Sequence, residues 1–221
     1  MENQQKIRVF DELRALLRNL GVVPVVAVTR VSDAVPLADA LMAGGLPVAE
    51  ITFRTDAAAE VMRAIHRERP DLLLGAGTVL TVEQVKRAKD CGAAFAVAPG
   101  LNPEVVRAAQ EIGLPFFPGV MTPSDVEKAL SLGCQQLKFF PAGAAGGVPM
   151  LKALTGPYGH TGVQFMPTGG VTTANLGEYL AIPQVTAVGG TWIAATSAIE
   201  GGDWAGITER ATAARAISAG R

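Results

Sequence analysis

Eight short apolar runs punctuate the chain, beginning near Val22 (VVPVVAV), Pro47 (PVAEIT), Leu72 (LLLGAGT), Ala93 (AAFAVAP), Pro115 (PFFPGV), Gln136 (QLKFF), Val163 (VQFMPT) and Val185 (VTAVGG). They recur roughly every 21–28 residues, the length of one strand plus one crossover helix. The runs are nearly continuous rather than alternating, which is what a parallel sheet covered by helices requires. The intervening segments carry helix punctuation. Thr81-x-x-Gln84 has the form of a capping box, and Asn102-Pro103 and Thr122-Pro123-Ser124 set a capping side chain before a proline. Gly44-Gly45, Gly92, Gly113 and Gly133 supply the left-handed stop that lets the chain reverse into the next run. An additional amphipathic helix over about 7–20 precedes the first strand, and another over about 204–218 closes the chain. No low-complexity linker interrupts the series, so one domain spanning 1–221 is expected. Eight βα units predict an α/β chain folded as a single (β/α)8 TIM barrel with an additional N-terminal helix, since an open doubly wound sheet usually holds about five or six strands. A leucine-rich solenoid shares the period but needs a leucine/asparagine consensus that is missing here.

Charge and composition remove several classes of function. Lys and Arg number 19 against 20 Asp and Glu, so no basic surface is available for sequence-independent nucleic-acid binding. Only 18% of residues are charged and the mean hydropathy is +0.29, which excludes a disordered chain and points to an oligomer that hides apolar surface. Two cysteines, Cys91 and Cys134, make neither a disulfide framework nor a metal cluster. The longest apolar run, about 11 residues within 72–82, falls short of the roughly 18 that a membrane span needs. The opening residues Met1 to Lys6 run into a charged amphipathic stretch rather than an apolar signal core, so a cytoplasmic location is expected.

In a barrel the chemistry sits at the carboxyl ends of the strands. The second run, AEITFRT (49–55), sets Glu50, Thr52 and Arg54 on one face by the strand period of two. That face is either an exposed ion pair at a strand end or a polar lining of the barrel mouth. The sixth run buries Lys138 among Leu137, Phe139 and Phe140. Such a lysine either snorkels to solvent or is held away from it, and a strand covered on both faces leaves little to snorkel to. Desolvation and a neighbouring cation such as Arg54 both favour the free amine that attacks a ketone. Thr168-Gly169-Gly170 follows the seventh run and Gly189-Gly190-Thr191 the eighth. These are either tight βα turns or the backbone cradle for phosphate that barrels build after their last two strands. Gly75-Ala76-Gly77-Thr78 is no dinucleotide fingerprint, because Leu80 holds the third glycine position; Thr78 remains a candidate ligand contact. His66 lies in a charged helix and His160 in a Gly/Pro-rich loop, neither in a metal-ligand or nucleophile motif, so no metal site and no serine or cysteine hydrolase is expected.

Taken together, VVPVVAV (22–28), AEITFRT (49–55), GAGTVL (75–80), FAVAPG (95–100), LKFFPA (137–142), MPTGGV (166–171) and GGTW (189–192) resemble the 2-keto-3-deoxy-6-phosphogluconate (KDPG)/4-hydroxy-2-oxoglutarate aldolase family over residues 13–217. The resemblance implies a trimeric (β/α)8 barrel and a class I aldolase that needs no metal and no cofactor. Its substrate would be a phosphorylated keto acid, with no nucleic-acid or membrane partner. By position it makes Lys138 the Schiff-base lysine and Glu50 the general acid/base. Arg54 and Thr78 would hold the pyruvyl part, with Pro99 and Phe140 lining the pocket, and Gly169, Gly170, Gly190 and Thr191 would bind the phosphate. Thr168 matches the position tied to C4 stereochemistry, where threonine goes with gluconate-type enzymes and valine with galactonate-type ones. Family members commonly read FFPAEA, whereas Gly143 stands in place of the glutamate, a change expected to loosen the loop after the sixth strand. The alternatives are a galactonate-type aldolase, a phosphate-binding barrel isomerase without imine chemistry, and a non-catalytic oligomeric scaffold.

Overall fold

The computed structural model describes residues 2–220, with side chains from Phe10 onward. Helix α1 (Glu2–Leu20) leads straight into β1 (Val22–Val26), after which helix and strand alternate. The first half runs α2 (Ala34–Ala43), β2 (Val48–Thr52), α3 (Ala58–Glu68), β3 (Leu73–Gly77), α4 (Val82–Asp90), β4 (Phe95–Val97) and α5 (Pro103–Glu111). The second runs β5 (Phe116–Phe117), β6 (Gly119–Val120), α6 (Pro123–Ser131), β7 (Gln136–Phe139), α7 (Gly147–Tyr158), β8 (Gln164–Pro167) and α8 (Leu176–Leu180). The chain then passes through β9 (Val188–Gly190), α9 (Thr196–Glu200) and the long α10 (Trp204–Ala219). Strands therefore form at all eight apolar runs, the fifth being divided at Pro118 into β5 and β6.

Every strand pairing is parallel, and the sheet is curled. One sheet has the order β5-β4-β3-β2-β1-β9 and the other β6-β7-β8. Isolated parallel bridges, Phe165 to Val185 and Thr168 to Gly189, tie the β8 segment to the β9 segment. Helix starts follow the sequence punctuation. Asn102 caps α5 by accepting from Glu104 N at 3.0 Å, and Thr122 and Asp125 cap α6 reciprocally. At α4 the box is shifted: Thr81 Oγ1 accepts from Gln84 N, but Gln84 Oε1 accepts from Leu80 N rather than from Thr81 N. Gly92 and Gly133 leave their helices at φ 86° and 78°, the left-handed geometry that a side chain would resist.

The strand period of two sorts residues into two apolar layers. Ala49, Ile51, Leu137 and Phe139 face outward into the layer shared with the helices. Val23, Val48, Phe95, Val97, Phe117, Met166 and Ala187 face inward and pack with Leu13, Leu17 and Leu20 of α1. Phe95 and Phe117 stack at 5.4 Å, and Phe10 meets the Phe117 ring edge-on at 6.1 Å. Helix α1 thus fills the inner space from the amino-terminal ends of the strands. Among the described residues, no helix is long and apolar enough to cross a membrane.

Two expectations follow from this packing. Phe117→Ala empties the centre of the inner layer and should lower stability by about 3–5 kcal/mol, read from chemical denaturation. Cys91 and Cys134 are buried, and burial pushes both thiols up, Cys134 to about 11. Iodoacetamide at pH 8 should therefore leave both untouched in the folded protein and alkylate both once it unfolds, as intact mass would show.

Candidate active site

Because Val48 faces inward, Glu50 and Thr52 on the same strand do too, nearer the carboxyl ends. Both are buried, Glu50 completely. On the other side of the curl, Leu137 and Phe139 face outward and so turn Lys138 inward, where it is 4% exposed. The two meet: Lys138 Nζ lies 3.4 Å from Glu50 Oε1. The lysine does not snorkel. Glu50 Oε2 is also buried, with no hydrogen-bond partner among the described residues. The Lys138 ammonium stands 5.2 Å over the Phe140 ring, which walls the amine on a further side.

Missing side chains make this burial possible. Gly77 pairs with Thr52 across β2 and β3. A Cβ there would overlap Glu50 Oε1 and stand 2.8 Å from its Cγ. Gly119 pairs with Lys138, and a Cβ there would run into the Pro99 carbonyl. Thr78, immediately after Gly77, adopts φ 56°, a left-handed conformation that a β-branched residue rarely takes.

Arg54 is exposed just past the end of β2. The group in direct contact with the Lys138 amine is the Glu50 carboxylate. Arg54 donates from Nε to Thr52 Oγ1 at 3.1 Å. Thr168 is buried at the end of β8, its hydroxyl 3.4 Å from the Met166 carbonyl, and Gly189 leaves room for it, since a Cβ there would overlap Oγ1. The bridge from Thr168 to Gly189 brings the two glycine loops side by side. Gly169 and Gly170 take φ 91° and 78°, and a Cβ on Gly169 would lie 3.4 Å from the Phe140 ring. The glycine cradle therefore abuts the wall of the lysine pocket. Gly190 lies flat against the Trp192 ring, and Thr191 is exposed beside it.

The loop after β7 is well tethered. Gly143 N donates to Gly169 O at 2.8 Å, Ala145 N to Pro141 O at 2.9 Å and Gly147 N to Ala142 O at 2.9 Å. Glycine at 143 thus leaves the loop pinned rather than loose, and a Cβ there would press to 3.2 Å from Gly170 Cα. Sequence reasoning missed the second-rank contacts: Thr52 under Arg54, and Asn175, whose Nδ2 donates to Gly170 O at 3.2 Å while its Oδ1 accepts from Thr172 N at 2.8 Å. The period placed Thr52 on the right face, but nothing in the sequence marked what it touches. Among the described residues, no three His, Cys, Asp or Glu side chains gather so as to hold a metal ion, and His66 and His160 are both exposed.

The arrangement is a desolvated amine beside a carboxylate with a free oxygen, a guanidinium at the rim, and paired glycine loops that present backbone N–H groups. It suits covalent attack on a carbonyl compound bearing anionic groups at both ends. Gly77→Ala should crowd Glu50 and lower stability by about 1–3 kcal/mol in chemical denaturation.

A family model described as KDPG and KHG aldolase matches residues 13–210. The chain is 50% identical over 188 residues to the 2-dehydro-3-deoxy-phosphogluconate aldolase of Haemophilus influenzae, covering 85% of this chain and 88% of that protein. It is 44% identical over 197 residues to the KHG/KDPG aldolase of Escherichia coli, covering 89% and 92%. The KDPG aldolase of Legionella pneumophila, solved with pyruvate captured as a covalent carbinolamine, superposes with a TM-score of 0.86 at 42% identity, over 90% of this chain and 96% of that one. On sequence, fold and site together, the chain belongs to the KDPG and KHG aldolase family.

Proposed function

We propose that this protein is a class I aldolase that cleaves 2-keto-3-deoxy-6-phosphogluconate to pyruvate and glyceraldehyde 3-phosphate, with 4-hydroxy-2-oxoglutarate as a second substrate. The observation that carries the reading is the buried Lys138 amine 3.4 Å from a Glu50 carboxylate whose other oxygen is free. Lys138 hands a proton to Glu50, and the neutral amine attacks the C2 ketone to form a carbinolamine. Glu50 returns that proton to the departing hydroxyl, and loss of water leaves a protonated imine. The imine draws the electron pair of the C3–C4 bond toward nitrogen as Glu50, through a water, takes the C4 hydroxyl proton. The aldehyde fragment leaves, Glu50 protonates C3 of the enamine, and water hydrolyses the pyruvate imine to restore the free lysine.

The other residues divide the substrate between them. Arg54 pairs with the carboxylate through its two terminal nitrogens, and Thr78, Pro99 and Phe140 enclose the pyruvyl part. Gly169, Gly170, Gly190 and Thr191 hold the phosphate through backbone N–H groups and one hydroxyl. Buried Thr168 stands between the two halves of the site and favours the gluconate configuration at C4 over its galactonate epimer. Residues 1–221 act as one domain. The two sheets form a single closed eight-stranded barrel, a reading supported by the short step across Pro118 and by the bridges from β8 to β9. We read the active particle as a homotrimer, the assembly that the family resemblance implies; Leu80, 49% exposed beside a groove lined by Val79, Pro99, Leu101, Val105 and Phe116, fits an apolar contact with another copy. A phosphorylated substrate does not cross a membrane unaided, which fits the cytoplasmic location expected from the sequence.

Incubation with pyruvate and borohydride should add one reduced pyruvate to the chain by intact mass, and Lys138→Met should abolish it. An unmodified wild-type chain would end the imine reading and favour an isomerase or a scaffold. Glu50→Gln should lower kcat for cleavage by about 10²–10⁴-fold, since the pair would then lack its proton carrier.

A further inference from the structure

Arg54 is long, exposed and charged, and a side chain of that kind samples many rotamers unless something holds it. Thr52 supplies the hold. Its hydroxyl donates to the Val26 carbonyl at 3.0 Å and accepts from Arg54 Nε at 3.1 Å. The direction is forced by chemistry. A carbonyl can only accept and a guanidinium can only donate, so the single hydroxyl proton points to β1 and a lone pair faces Arg54. Thr52 is buried, which keeps water from replacing the contact. With Nε engaged, the edge bearing the two terminal nitrogens is left for a carboxylate, the geometry in which arginine makes its paired hydrogen bonds.

The backbone around Arg54 has its own anchors. Thr55 Oγ1 donates to Val28 O at 2.6 Å, and Phe53 N donates to Gly77 O at 2.8 Å. Removing the Thr52 hydroxyl would therefore free the guanidinium without releasing the segment that carries it. We propose that Thr52 is a positioning residue that aims Arg54, and that it sets the affinity of this enzyme for the carboxylate of 2-oxo acid substrates. The proposal rests on the assignment of Arg54 to the substrate carboxylate made above.

The test compares Thr52→Val, which keeps the shape and loses the hydroxyl, with Thr52→Ser, which restores it. Two readouts are used: KM and kcat for aldol cleavage, and the pyruvate concentration that half-saturates borohydride trapping. Thr52→Val should raise KM and the half-saturating pyruvate about 5–10-fold while kcat changes less than about threefold. Thr52→Ser should stay within about twofold of wild type. On an Arg54→Ala background, Thr52→Val should add nothing further, because the group it aims is gone. An unchanged KM in Thr52→Val, or an equal rise on the Arg54→Ala background, would overturn the positioning role while leaving Arg54 in place. An unchanged KM in Arg54→Ala itself would overturn the carboxylate assignment and the proposal with it. If Thr52→Val fails to fold, Thr52→Ala carries the same expectations.

Discussion

Lys138 and Glu50 stand 3.4 Å apart where almost no solvent reaches, and the surrounding structure serves to keep them there. A buried ion pair contributes little net stability, since desolvating two charges offsets most of their attraction, yet losing either partner strands the other. The fold therefore has to provide a rigid, dry setting from other sources. It does so from below, where α1 and the stacked rings of Phe95 and Phe117 fill the inner space. Above that apolar layer, toward the carboxyl ends of the strands, Glu50, Thr52 and Lys138 turn inward. The pair sets a carboxylate acceptor directly against a buried amine, the arrangement on which the proposed chemistry rests.

Room for that pair comes from atoms that are absent. Gly77 yields space to Glu50; elsewhere in the same region Gly119, paired with Lys138, yields space to the Pro99 carbonyl, and Gly189 to Thr168. Each lies inside a strand or at its end, where glycine is unfavourable for sheet formation and where a close approach is the usual reason to find it. The glycines after β8 act differently. Gly169 and Gly170 need their positive φ, and so much freedom would leave the loop without a fixed shape unless it were restrained. The restraint is visible in Gly143 N on Gly169 O and Asn175 Nδ2 on Gly170 O. Flexible residues are held by hydrogen bonds from their neighbours, so the loop keeps one arrangement.

Arg54 shows how one contact can fix the direction of a long side chain. As a bare cation at the rim it would attract any anion. Tied through Nε to Thr52, and through Thr52 to the Val26 carbonyl, it presents one edge in one direction. A chain of two hydrogen bonds thus carries the register of β1 and β2 out to the guanidinium.

Much was legible in the sequence because it depends on periods along the chain. The alternation of apolar runs with capped segments yields the strands and helices, and the period of two puts Glu50, Thr52 and Arg54 on one face. Capping residues act within a turn, so Asn102 and Thr122 could be read locally. The resemblance of ordered motifs then named Lys138, Glu50 and the glycine loops together. What no period reveals is which side chain from β2 meets which from β7, because those strands lie 88 positions apart and are brought face to face only by the curl of the sheet. Sequence reasoning offered Arg54 as a nearby cation; the fold shows the Glu50 carboxylate against Lys138 and Arg54 Nε on Thr52. The pinned loop at Gly143 and the left-handed Thr78 likewise exist only in three dimensions. Local propensity and spacing determined the parts and the faces they present. Distances, burial and the direction of each hydrogen bond were decided by tertiary packing, because those depend on what the rest of the chain places across the gap.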